Sequence, residues 1–83
     1  MTMEHIEDLK KNALRIIWEL RTTKGNELAE AIKPHRIQRI ERTLEVLKSH
    51  AEHPSAPAEQ RNAASNALAE IQSLFRSTLG PTP

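Results

Sequence analysis

The 83-residue chain is long enough for one small domain, and its 12 basic and 11 acidic residues leave a net charge of only +1. Because it contains no cysteine and only two glycines, a disulfide framework, a thiol nucleophile and a glycine-rich phosphate loop are excluded. No apolar run approaches the roughly 18 residues that a membrane span needs. We therefore expect a single cytoplasmic domain over residues 1–83, without a membrane contact or a cofactor.

The composition favours an all-α fold. The chain has no tyrosine, one phenylalanine and one tryptophan, and it is rich in alanine, leucine, glutamate, arginine and lysine, which lose least on entering a helix. No segment shows the sustained alternation of a half-buried strand. We expect a small helical bundle built on a C-terminal antiparallel helical hairpin, and because large apolar side chains are few for this length, we also expect a homodimer.

The first helix is predicted over residues 4–21. Thr2 is a suitable N-cap, and Gly25 supplies a residue that tolerates positive φ after the helix ends. Apolar residues recur at steps of three and four residues, so one face of this helix is predicted to enter the core. That face carries Ile6, Leu9, Ala13, Ile16, Ile17 and Leu20.

Three further helices are predicted along the rest of the chain. A short one, residues 27–32, has Asn26 as its N-cap and is expected to end before Pro34, because the residue preceding a proline disfavours helix. Another spans residues 34–50, and the last spans residues 58–79 after a proline-bounded turn. The expected buried residues are Leu28, Ala31 and Ile32, then Ile37, Ile40, Leu44 and Leu47, and finally Ala64, Ala67, Leu68, Ile71, Phe75 and Leu79.

Leu14 and Trp18 are the first candidates for a binding surface. Trp18, the only tryptophan, lies beside Leu14, about 120° around the first helix from Ile6 and off the main apolar stripe. Because tryptophan is enriched among binding hot spots, the pair is suited to anchoring a partner. The alternatives are that the bundle buries this helix over a wide arc, or that Trp18 lies in the dimer interface.

Arg36, Arg39 and Arg42 are the second candidates, because they give the helix 34–50 a local positive charge. They would complement an acidic patch on a protein, or contact phosphates in a DNA-binding regulator. The helix-turn-helix pattern does not fit, because Arg39 and Arg42 fall on its buried positions and Pro34 in its turn. A solvated helix face is the plain alternative.

Neither a metal site nor catalysis is expected. His50 and His53 lie three residues apart, but no third ligand converges with them in the sequence. Glu41 and Glu45 lie on a flank that is expected to be exposed, whereas acid–base catalysis needs carboxylates in a pocket. We expect a protein that is not an enzyme.

The sequence as a whole favours a small helical protein-interaction module. It would bind another macromolecule and inhibit or adapt it, a role that compact helical proteins of bacteria and phages often serve. Leu14 and Trp18 would be apolar anchors, and Arg36, Arg39 and Arg42 would supply the complementary charge. A dimeric DNA-binding transcriptional regulator that uses the basic helix 34–50 is the alternative, and a purely structural oligomerisation module is a third possibility.

Overall fold

The chain forms three α-helices in a computed structural model that describes residues 2–23 and 25–79. They are α1 (Met3–Thr22), α2 (Glu27–Ala51) and α3 (Ala58–Leu79), and each contacts the other two. Over these residues the chain has no strand, so the all-α prediction is confirmed.

Local signals at the helix ends act as predicted. The Thr2 side chain accepts a hydrogen bond from a backbone N–H in the first turn of α1. The Asn26 side chain accepts from the N–H groups of Leu28 and Ala29, at 2.9 and 3.2 Å. Gly25 has a φ of 91°, a conformation that residues with a side chain rarely adopt. Thr2 thus marks the start of α1, and Gly25 and Asn26 mark the passage from α1 to α2.

The core is one apolar cluster to which all three helices contribute. Most of the side chains predicted to be buried are buried or half-buried, because three- and four-residue spacing places them on the inner face of each helix. The exception on α3 is Leu79, which is about half exposed. The buried members are Ile6, Ala13, Ile16, Ile17, Ile40, Leu47, Ala64, Ala67, Ile71 and Phe75.

The predicted helix break before Pro34 is wrong, because α2 continues through it without interruption. A proline inside a helix removes one backbone hydrogen bond and clashes with the carbonyl four residues earlier, here that of Glu30. Both residues are exposed, so water is able to satisfy that carbonyl. On either side of Pro34, Lys33 and Ile37 are partly buried, and this packing outweighs the local preference. The predicted helices 27–32 and 34–50 are therefore one.

The predicted burial of Leu28, Ala31 and Ile32 is also wrong, because all three are exposed. In an uninterrupted helix, the buried positions Ile40 and Leu47 set which residues face inward in the first turns. A period of 3.6 residues then turns Ala29 and Lys33 inward and leaves Leu28 and Ile32 outside. Ala29 and Lys33 do line a small cavity between the helices.

Polar contacts hold α1 beside α3 at two levels. Lys10 Nζ lies 2.7 Å from Glu70 Oε2. Eleven residues further along α1, Arg21 Nε donates to Thr78 Oγ1 at 2.8 Å and an Nη group donates to Ser77 Oγ at 3.4 Å. Because the residue numbers of the contact pairs increase together along both helices, α1 and α3 run parallel to each other.

The Lys10–Glu70 pair affects the pKa of Lys10 and therefore the pH dependence of stability. The hydrogen bond to Glu70 raises the pKa of Lys10 above its ordinary 10.5, and the charges of Glu70 and Glu7 act in the same direction. Because the folded-state pKa is raised, the stabilisation is complete below pH 10.5 and is lost as the pH rises through the folded-state value. Both side chains are partly exposed, so we expect Glu70→Gln to cost less than about 1 kcal/mol.

An NMR titration of the Lys10 side chain measures this effect directly. In Glu70→Gln the Lys10 pKa is expected to fall, whereas the control Glu7→Gln is expected to lower it less, because Glu7 makes the smallest of these contributions. An unchanged Lys10 pKa in Glu70→Gln would show that the ion pair does not persist in solution.

The molecule is thin and elongated, with Cα extents of 44 × 27 × 15 Å. Its accessible surface is 5891 Å², whereas a compact monomer of this mass exposes about 5000 Å². Among the described residues, no helix combines the length and the apolar character needed to cross a membrane.

Candidate interaction surfaces

Trp18 lies on the outer side of α1 and is 64% exposed. On the same side of α1, Leu14 is half-buried and packs against the core. Lys10 and Arg21, which hold α3, are on this flank too. Leu14 and Trp18, which we call the Trp18 flank, therefore lie along the α1–α3 side of the bundle. Leu14 precedes Trp18 by one helical turn, so the two residues are neighbours on the same side of α1.

Arg36 is not free to meet a partner, because it joins α2 to α1. One Nη group lies 3.5 Å from Glu19 Oε2, and the other donates to Thr23 Oγ1 at 3.2 Å. Its side chain is only 18% exposed. Thr23 in turn donates to the Glu19 carbonyl at 2.6 Å, which fixes the end of α1. Arg36 is thus a structural contact between two helices.

Arg39 and Arg42 are exposed on the outer side of α2. Neither makes an ion pair with any residue in the described part of the chain. They belong to a longer row of exposed residues at alternating four- and three-residue steps, a spacing that keeps one face of a helix outward. We call this row the outer seam, and it consists of Leu28, Ile32, His35, Arg39, Arg42 and Val46.

The five predicted binding residues therefore do not form one surface. The Trp18 flank adjoins α3, whereas Arg36 faces the opposite side of α1, where it contacts Glu19. Arg39 and Arg42 lie on the outer side of α2. Sequence reasoning also missed Leu28 and Ile32, which it placed in the core. The regular spacing of the outer seam is visible in the sequence only when residues 27–51 are taken as a single helix.

A small hollow between the helices has a volume of about 30 Å³, enough for one or two water molecules. It lies between the end of α1, the start of α2 and the end of α3, and its walls include Leu20, Lys33 and Thr78. Two larger clefts, of about 310 and 330 Å³, lie open on the surface beside His50 and His53. Glu41 and Glu45, which the sequence placed on an outer flank, are exposed.

His50 and His53 lie near the end of α2, and no further metal ligands converge with them within residues 2–23 and 25–79. His53 Nδ1 accepts a hydrogen bond from the backbone N–H of Ser55 at 3.2 Å. His50 is partly buried, and its Nε2 atom has no hydrogen-bond partner. Among the described residues, no group of three or more histidine, aspartate or glutamate side chains is arranged to hold a metal ion.

Comparison with known proteins gives no relative from which a function can be transferred. No family model matches the chain, and neither the curated proteins nor the solved structures yield a match.

Proposed function

We propose that the protein is a small helical interaction module that binds another protein and modulates its activity, as an inhibitor or adaptor does. The bundle, with α2 and α3 forming an antiparallel hairpin, would serve as a rigid scaffold for its outer faces. The observation that carries this proposal is the exposure of Trp18, at 64%, beside the half-buried Leu14. A large aromatic side chain held outward on a rigid helix is typical of a binding hot spot.

The proposal includes self-association. The accessible surface of 5891 Å² exceeds that of a compact monomer of this mass by roughly 900 Å². Each partner in an interface of standard size buries about 800 Å². A homodimer interface of standard size would therefore be comparable in area with this excess. Trp18 is a suitable anchor for either complex, with a second copy or with a different protein.

Trp18→Ala is expected to weaken partner binding by about 2 kcal/mol or more, roughly thirtyfold, because it removes a hot-spot anchor. The test is a pull-down with the tagged protein from nuclease-treated lysate of its native cell, followed by mass spectrometry. A stoichiometric protein partner that binds wild type and is lost from Trp18→Ala supports the proposal. An unfolding curve confirms that the variant folds, with an expected loss of less than about 1 kcal/mol.

Sedimentation equilibrium of wild type and Trp18→Ala then shows whether Trp18 serves the homodimer or the complex with another protein. A wild-type dimer of about twice 9.4 kDa that dissociates in Trp18→Ala assigns Trp18 to the dimer interface. A dimer that persists in the variant, while the partner is lost, assigns Trp18 to the partner site. Retention of the partner by a folded Trp18→Ala variant would contradict the proposal.

A DNA-binding regulator is the second candidate. The exposed Arg39 and Arg42 favour it, because they have no ion-pair partner among the described residues and lie on a long helix. Such a protein would lose affinity steeply between about 50 and 200 mM salt. Glu41 and Glu45 on the same helix, and a net charge of only +1, weigh against it, because DNA-binding domains are usually strongly basic.

A further inference from the structure

The outer seam has the spacing of a surface that packs along another helix. Its six residues follow steps of four, three, four, three and four from Leu28 to Val46. That is the 4-3 alternation of helices packed nearly in line. At 1.5 Å per residue the seam is about 27 Å long, or five turns. The inner residues of α2 show the same alternation and are covered by α1 and α3, whereas every residue of the outer seam is exposed.

The charges on α2 are segregated around the helix. The outer seam contains Arg39, Arg42 and His35 but no acidic residue. At 100° per residue, the acidic side chains of α2 lie about 100° or more from the centre of the seam. They are Glu27, Glu30, Glu41 and Glu45. An occupant of the seam would therefore meet positive charge along its centre, while the nearest carboxylate, Glu45, lies three residues from Arg42 at the edge of the seam.

Apolar side chains bracket the two arginines. Leu28 and Ile32, 80% and 44% exposed, lie at one end of the seam, and Val46, 42% exposed, lies at the other. The complementary surface is apolar at both ends and acidic between them. We propose that the outer seam is a docking surface for an acidic amphipathic helix of another protein. This inference does not depend on the Trp18 flank, which lies on another side of the bundle.

Two other occupants fit the seam less well. A second copy of α2 in antiparallel register would set Leu28 against Val46, Ile32 against Arg42 and His35 against Arg39. The charge of Arg42 would then meet an apolar side chain, and Arg39 would meet no acidic group. A nucleic acid would gain nothing from the exposed Leu28 and Ile32, because phosphates do not favour apolar side chains. It would also run close to Glu41 and Glu45.

A displayed library of 21-residue helices tests the proposal on the full-length protein. Apolar residues are fixed at both ends of one face of each helix, and the positions that would meet Arg39 and Arg42 vary among Glu, Lys and Gln. Selection by wild type is expected to enrich Glu over Lys at least tenfold. The variant Arg39→Glu/Arg42→Glu is expected to reverse that preference and to bind the wild-type-selected helices about tenfold more weakly.

Matched variants separate the seam from general charge effects. Lys11→Glu/Arg76→Glu makes the same change in net charge at exposed positions off the seam, so it is expected to keep the wild-type preference. Leu28→Ala removes an apolar anchor that contributes almost nothing to the core, and it is expected to weaken binding of the selected helices severalfold. Circular dichroism confirms that each variant folds.

Three results would overturn the proposal. They are the absence of any Glu preference, an equal preference in the Arg39→Glu/Arg42→Glu variant, and binding of a 25-base-pair DNA duplex through Arg39 and Arg42 with no helix selected. Trp18→Ala run in parallel keeps the two surfaces separate, because it is expected to select the same acidic helices as wild type. A failed selection would therefore contradict the docking proposal for the outer seam without affecting the interpretation of the Trp18 pull-down.

Discussion

Replacing Leu47 by alanine is expected to lower the free energy of unfolding by about 2–5 kcal/mol, because it opens a cavity in the core. Leu47 has no exposed surface and lies in the cluster shared by the three helices. In a domain of this size such a loss lowers the melting temperature by roughly 10 °C or more. Urea unfolding followed by circular dichroism measures the difference.

Leu28→Ala is the matched control, because it makes the same chemical change on the same helix. Leu28 is 80% exposed, and alanine favours helix slightly more than leucine does. Its unfolding free energy is expected to stay within about 0.5 kcal/mol of wild type. Equal losses in the two variants would mean that α2 does not pack in the register described.

Pro34→Ala is expected to stabilise the protein by about 2 kcal/mol. An interior proline costs a helix about 3 kcal/mol relative to alanine. Part of this gain is offset because alanine leaves the unfolded chain more freedom. The new N–H at position 34 would donate to the Glu30 carbonyl, and hydrogen exchange at that amide reports the bond.

Pro57→Ala is the control for Pro34→Ala. Pro57 immediately precedes α3, and its carbonyl accepts the hydrogen bond from Arg61 N, so its own nitrogen has no carbonyl to meet within the helix. We expect a change of less than about 1 kcal/mol. If Pro34→Ala were neutral or destabilising with its amide unprotected, α2 would be broken near Pro34 in solution.

Most of the fold was predictable because two helices carry unambiguous local signals. In α1, a capping threonine, an apolar stripe and a glycine after the last turn all point to the same boundaries. In α3, the stripe from Ala64 to Phe75 predicted the buried face correctly. These signals act over three or four residues, so they can be recognised without knowing how the helices pack.

The second helix shows where local reasoning fails. The preference of a residue before proline is worth only a few kcal/mol, and packing on both sides of Pro34 outweighs it. Dividing α2 at Lys33 also shifted the inferred inner face, which placed Leu28 and Ile32 in the core. One wrong boundary therefore concealed the outer seam.

The binding residues were predicted as candidates, but their arrangement was not. The exposure of Trp18 follows from its angle on α1, which the sequence already gives. That Arg36 would contact Glu19 and Thr23 depends on how α2 crosses α1, and spacing within one helix carries no information about this. The separation of the Trp18 flank from the outer seam likewise depends on how the helices pack, which spacing within one helix does not reveal.

Binding of a protein by the exposed Trp18 flank is best tested by photo-cross-linking in the native cell. A benzophenone amino acid replaces Trp18 in one variant and Asn62, which is exposed on α3, in the control. We expect one cross-linked protein species, resistant to nuclease, from position 18 and none from position 62. No adduct at position 18, the same adducts at both positions, or an adduct removed by nuclease would contradict it.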